Sequence, residues 1–197
     1  MPLLATEVKL LYLNDLWICI LVASALVFVV SFVLHVLLPI HKGDYHKLSN
    51  ESKVLAAMRE HGVTPGTYSF PFPASMKDMA SPEMAEKYTQ GPVGLLTVLP
   101  NQVPAIAKNL VQWFLYLILM HILIAYVSSI ALEGFSERML VFRFTSATAL
   151  LAFSVPSLHE SIWKGQSWII TAKYLLDGVV YALASSLTFA ILWPGGK

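Results

Sequence analysis

Apolar residues run almost unbroken through four stretches of this chain, 16–38, 110–132, 139–158 and 174–193, while polar residues gather between them. A helix rises about 1.5 Å per residue and needs roughly 20 apolar residues to cross a bilayer. Each stretch meets that length, so the pattern predicts four transmembrane helices. The first holds no charged residue and would extend roughly 34 Å as a helix. It reads as an uncleaved span rather than a signal peptide, because Lys9 is the one basic residue before it and no small-residue cleavage site follows. The short turn 133–138 forces the second and third spans into an antiparallel hairpin. The link 158–173 carries Trp163 and Trp168 beside Lys164, and Trp17 and Trp193 mark the outer ends of the first and fourth spans. Aromatic rings with lysine suit the membrane interface, where the ring straddles headgroup and hydrocarbon while the ammonium stays wet.

Within the spans, polar and small residues fall into stripes at helical spacing. Ser24, Phe28, Ser31 and His35 share one face of the first span; His121, Ala125 and Ser128 share one in the second. Thr145, Thr148, Ala152, Pro156 and His159 do so in the third. In the fourth, Asp177 and Tyr181 flank Gly178, Ala182, Ser186 and Ala190, small residues at four-residue intervals that let helix backbones approach closely. These stripes predict the bundle interior, and the small-residue stripe also offers a face to a membrane-protein partner or a second copy of the chain. The expected fold is all-α: a four-transmembrane-helix bundle, one membrane domain over 1–197, with a long helical and extended loop between helices 1 and 2.

That loop, 39–103, is the place for an extramembrane element. Residues 50–61 read as a short helix opened by an Asn50 cap and closed by Gly62. Thr64, Pro65 and Gly66 form a turn, and Pro71 and Pro73 keep the next stretch extended. Ser81 caps a second short helix with Pro82 in its first turn and Gly91 past its end. The stretch 91–100, GPVGLLTVLP, is apolar but too short to span, so it is expected to be interfacial, re-entrant or packed under a lid formed by the two short helices.

Composition narrows the class further. With 56% hydrophobic and 13% charged residues the chain exceeds the apolar share of a soluble domain, about 45–50%. A net charge of +1, with basic residues dispersed among acids, excludes a nucleic-acid stripe. The lone Cys19 excludes an intrachain disulfide and a multi-cysteine metal site. Basic residues concentrate on the side of the 39–103 loop, where Lys42, Lys47, Lys53, Arg59, Lys77, Lys87, Lys108, Lys164 and Lys173 fall. The other side has Lys9, Arg138, Arg143 and Lys197. The positive-inside rule then makes the loop cytoplasmic and both termini external.

This topology brings the ionisable residues of three spans near the inner face. His35, His159, Glu160 and Asp177 stand there, joined by His41, Asp44 and His46 just beyond the first span. Imidazole and carboxylate suit zinc or iron, and His35 with His159 is a candidate haem pair. The plainer readings are interfacial histidines bonded to water and backbone, and an Asp177 paired with Lys173 one turn away, or with His159 or Lys164. His121 lies deeper and is expected to bond between helices. No HExxH, G-x-S-x-G, Walker or dinucleotide motif occurs, and the histidines do not form the boxes of membrane di-iron enzymes.

The segments 35–45 (HVLLPIHKGDY), 65–68 (PGTY), 91–101 (GPVGLLTVLPN), 112–114 (QWF) and 161–165 (SIWKG) resemble those of bacterial multi-span membrane proteins that carry no assigned activity. The resemblance implies a bacterial inner membrane. The leading expectation is a non-enzymatic accessory subunit or small oligomeric membrane module. A metal- or haem-dependent membrane enzyme built on the inner-face cluster, and a small oligomeric transporter or channel using Asp177 and Tyr181, are the alternatives.

Overall fold

The computed structural model describes residues 13–134 and 136–196. Lys9 and Lys197, which enter the charge asymmetry, lie outside them. In chain order the helices are α1 (Trp17–Phe32), α2 (Glu51–Glu60), α3 (Met76–Met79), α4 (Pro82–Gln90), α5 (Ile106–Ala131), α6 (Arg138–Phe153), α7 (Leu158–Lys164) and α8 (Trp168–Leu192). Two strands, β1 (Gly66–Phe70) and β2 (Gly94–Val98), lie between α2 and α5. Of the described residues, 69% are helix and 5% strand. Two compact units form, Met1–Asp44 with Ala105–Lys197, and Tyr45–Pro104.

In the first unit, four helical segments are long and apolar enough to cross a membrane, the pattern of a multi-pass membrane protein: Trp17–Leu37, Ile106–Ala131, Arg138–Lys164 and Trp168–Leu192. Their ends differ from the apolar runs where local chemistry intervenes. The fourth begins six residues before the run does, since Ser167 caps it by accepting from Ile169 N–H at 3.3 Å. The third is broken by a 3₁₀ turn, Val155–Ser157, around Pro156, which lacks the N–H a continuous helix needs, and resumes as α7. The first ends in a π-helical turn, Val33–Leu37, carrying His35.

The core follows the predicted stripes in part: those of the second and fourth spans are buried, while His35 in the first and Pro156 and His159 in the third are exposed. On α1, Cys19, Ala23, Val27 and Ser31, four residues apart, are buried together with Ile20 and Ser24 beside them, while Trp17, Val29 and other apolar residues face outward as lipid would require. Hydroxyls in the core bond to carbonyls one turn back: Ser24 to Ile20, Thr145 to Val141 and Ser185 to Tyr181. His121, fully buried, bridges three helices. Its Nδ1 lies 2.8 Å from Leu117 O and 3.0 Å from Ser24 Oγ, and its Nε2 lies 2.8 Å from Ser185 Oγ. That is the helix-to-helix bonding expected of it. Trp193 is buried instead of interfacial, its indole N–H donating to Glu133 O at 3.0 Å, which ties the end of α8 to the turn after α5.

The small-residue stripe of α8 is consumed within this chain. Gly178, Ala182, Ser186 and Ala190 are all buried against the rest of the bundle. Gly178 sits where α8 meets the broken end of α6. A Cβ there would stand 2.5 Å from Ser154 Cα and 2.6 Å from Phe153 O. Close by, the Ser154 hydroxyl donates to Leu175 O at 3.0 Å.

The second unit departs from the all-helical expectation. The apolar stretch after Gly91 supplies β2, paired antiparallel with β1 from Gly66↔Val98 to Phe70↔Gly94. Alternation of half-buried and exposed residues along Gly94–Val98 is the period-2 signature of a strand. Ser81 caps α4 as expected, accepting from Met84 N–H at 3.2 Å. Asn50 precedes α2 in a left-handed conformation, φ 53°, without a side-chain cap.

Backbone contact at Gly178 gives a direct test. Gly178→Ala should destabilise the protein by about 1–3 kcal/mol through overpacking. Gly43→Ala, with nothing within 4 Å of the new Cβ, should leave thermal unfolding in detergent nearly unchanged.

Candidate metal centre

The π turn and the proline after it build the centre. Leu38 turns extended, and a 3₁₀ turn at Pro39–His41 folds the chain back beneath the end of α1. His41 thereby lies against His35, with parallel rings 4.3 Å apart between centroids. Both face Asp177 on α8, which is 2% exposed. The nitrogen and carboxylate atoms of His35, His41 and Asp177 all lie within 4.8 Å of one another.

Hydrogen bonds on the far side of each ring fix what it presents to Asp177. His41 Nδ1 is 2.7 Å from Asp44 Oδ2, and an ionised carboxylate only accepts, so Nδ1 carries the proton. His35 Nδ1 is 3.1 Å from Ser31 O, a carbonyl, which assigns the same tautomer. In its neutral form each ring therefore turns a bare Nε2 toward Asp177. His41 Nε2 stands 2.9 Å and His35 Nε2 3.6 Å from Asp177 Oδ2. The shorter contact lacks hydrogen-bond geometry: His41 Nε2 and both Asp177 oxygens are buried with no hydrogen-bond partner. With both rings neutral, three electron-rich groups converge with no donor among them; a proton on His41 Nε2 would instead make an ion pair with Asp177. Ligands about 2.1 Å from a tetrahedral ion stand about 3.4 Å apart, the scale of these separations. Parallel rings aim parallel lone pairs, so an ion held by both would require the half-exposed His35 ring to tilt.

A supporting shell surrounds the three. Lys173, one turn before Asp177 on α8, bonds to Asp44 Oδ1 instead of to Asp177. The Lys173 ammonium holds the Asp44 carboxyl below its usual range, with His41 adding to the effect and burial opposing it. Asp44 in turn orients His41, the carboxylate–histidine arrangement that fixes a metal ligand's tautomer. Tyr174 tilts over both rings, 5.3 Å from His41 and 6.3 Å from His35 between centroids.

The remaining sequence candidates lie elsewhere. His159 and Glu160 pair with each other at 3.8 Å on α7, with side chains 61% and 40% exposed, and Glu160 also takes Lys164 at 2.8 Å. Neither joins the group at Asp177. His46 is exposed and belongs to the second unit. Lys173 as the partner of Asp44, and Tyr174, are members that spacing alone does not reveal; the four residues from Lys173 to Asp177, one helical turn, are the signal that could have tied Lys173 to this end of α8.

Two cavities adjoin the centre. One, of about 440 Å³, lies among the helices and reaches Phe28, Trp113, Phe153 and Tyr181 from the His35 and Asp177 end. The other, of about 360 Å³, is bounded by the chain from His35 to Lys42 and reaches His41. No known protein family, curated protein or solved structure matches the chain.

Asp44 sets a pH dependence. Its lowered carboxyl contributes stability that is fully present above the unfolded value of about 3.9 and is lost as pH falls through the native value. Asp44→Asn should therefore be less stable than the native protein above about pH 4, and the gap should close as pH falls from there through the lowered native value. Thermal unfolding in detergent across that range measures it.

Proposed function

We propose that the protein is a membrane-embedded metal-dependent enzyme whose ion, zinc or iron, is held by His35, His41 and Asp177. The observation that carries this is the buried Asp177 carboxylate, neither oxygen in hydrogen-bond geometry with a partner, facing two imidazole nitrogens that are bare in the neutral tautomers. A cation is what such a set lacks. Three protein ligands leave coordination positions open, as catalytic sites do and closed structural sites do not. Two histidines with one carboxylate are also a ligand set of non-haem iron enzymes. An ion there would polarise a bound carbonyl or activate water, with Asp44 and Lys173 holding His41 in register.

An accessory or oligomeric module was the leading expectation because no catalytic motif occurs and because α8 carries a small-residue stripe. The stripe is buried within the chain, which weakens that reading. The resemblance of segments 35–45 and 91–101 to bacterial multi-span proteins, with the excess of basic residues in and around the 39–103 connection, supports a bacterial inner membrane and a cytoplasmic-side site.

Protein purified in mild detergent, stripped of metal and dialysed against zinc or ferrous iron, should bind about one ion per chain by elemental analysis. Asp177→Asn and His41→Ala should lose it, while His159→Ala keeps it. Asp44→Asn should bind about 10–100-fold more weakly, as loss of an outer partner does. Absence of metal from the native protein, or equal binding by Asp177→Asn and His41→Ala, overturns the proposal.

A further inference from the structure

The 440 Å³ cavity beside the metal centre has two chemically distinct ends. Its rim is formed by Phe32, Val36 and Leu110, all exposed apolar residues on the outward surface of α1, the π turn and α5. An opening rimmed in this way faces hydrocarbon, and what enters comes from the membrane. Farther in, the polar atoms of the wall are already used. Trp113 Nε1–H donates to Ser31 Oγ at 3.0 Å, and the Ser31 hydroxyl donates to Phe28 O at 2.8 Å. Those satisfied groups leave a wall of aromatic faces, including Phe153, with no polar demand on an occupant.

The opposite end is different. It closes on His35 and Asp177, and on the Tyr181 hydroxyl, whose contact with His35 Nδ1 is 3.5 Å, too long for a strong hydrogen bond. The donor of Tyr181 is thus available to a head group. The volume falls within the range of small-molecule pockets, roughly 300–1,000 Å³.

We infer that this cavity binds a single-chain amphiphile from the membrane, its apolar chain against Trp113 and Phe153 and its oxygen-bearing head between Tyr181 and the His35–Asp177 end. This deepens the metal-dependent reading and rests on it for the head group only: a carboxylate head beside Asp177 needs the ion between them, and the Tyr181 hydroxyl supplies the second contact. The chain site stands on the cavity itself.

The test is photolabelling of the purified full-length protein with palmitic acid bearing a mid-chain diazirine, followed by peptide mapping. Label should concentrate on the peptides carrying Phe28, Trp113 and Phe153. Leu110→Trp, a change at an exposed rim position away from the metal ligands, should reduce it by at least about tenfold, equivalent to 1.4 kcal/mol of binding. Metal content of Leu110→Trp should match the native protein, which shows that its fold and centre persist. Tyr181→Phe should lower labelling with smaller effect. Label spread evenly over the outward faces of all four spans, or unchanged by Leu110→Trp, overturns the inference even if metal binds stoichiometrically. Label confined to the cavity in protein that binds no metal upholds the chain site while the metal reading fails.

Discussion

The Asp177 carboxylate has to be compensated where it lies, and much of the surrounding architecture answers to it. An ionised group within a bilayer costs roughly 2.5–3.5 kcal/mol on insertion scales, so such residues are paired, wet or functional. Here the neighbours are two imidazoles and not a lysine. Lys173, the nearest cation along the helix, bonds to Asp44, and Asp44 bonds to His41. Charge compensation thus passes outward from a buried acid through a ring to a second acid and an ammonium. At its inner end the chain of contacts stops at two Nε2 atoms facing carboxylate oxygens that no hydrogen bond satisfies.

Packing sets the aim of this acid. Gly178 brings α8 against the backbone of Phe153 and Ser154, and the Ser154 hydroxyl bonds to Leu175 O at the same crossing. A helix held at that contact has little freedom to rotate. Asp177 is one position away, about 100° around the helix, and so is directed toward the end of α1. There the π turn and Pro39 interrupt what would have been a straight exit from the first span, and His41 folds back onto His35. His121, deeper in the bundle, binds α1 to α5 and α8 through Ser24 and Ser185. The bundle's polar residues therefore divide into a saturated group that holds helices together and an unsaturated group at one end.

Much of this was legible in the sequence. Apolar length located the four helices, because the requirement of about 20 residues is a property of the bilayer thickness and needs no partner. Helical periodicity found the buried stripes, including Ser24, Ser31, Thr145 and Gly178. His35, His41, Asp44 and Asp177 were recognisable as candidates by residue type and depth. The selection among candidates was not legible: His159 and Glu160, at the same expected depth, are exposed on α7, and His46 lies in the other unit. Depth along a helix says nothing about rotation around it once Pro156 has broken α6 from α7. The strand pair of the second unit was missed because an apolar run of ten residues is too short to declare its period against a buried or interfacial segment.

Sequence by itself determined the span count, the facing stripes and the inventory of ligating side chains, since these depend on local composition and helical repeat. Only the tertiary structure decided that Lys173 binds Asp44 and leaves Asp177 to the histidines, that Gly178 is a backbone contact inside one chain, and that residues 94–98 pair with 66–70. Those outcomes depend on which groups, distant along the chain, reach one another first in space. Hydrogen bonds and close packing act over a few ångströms, and no linear pattern records that proximity.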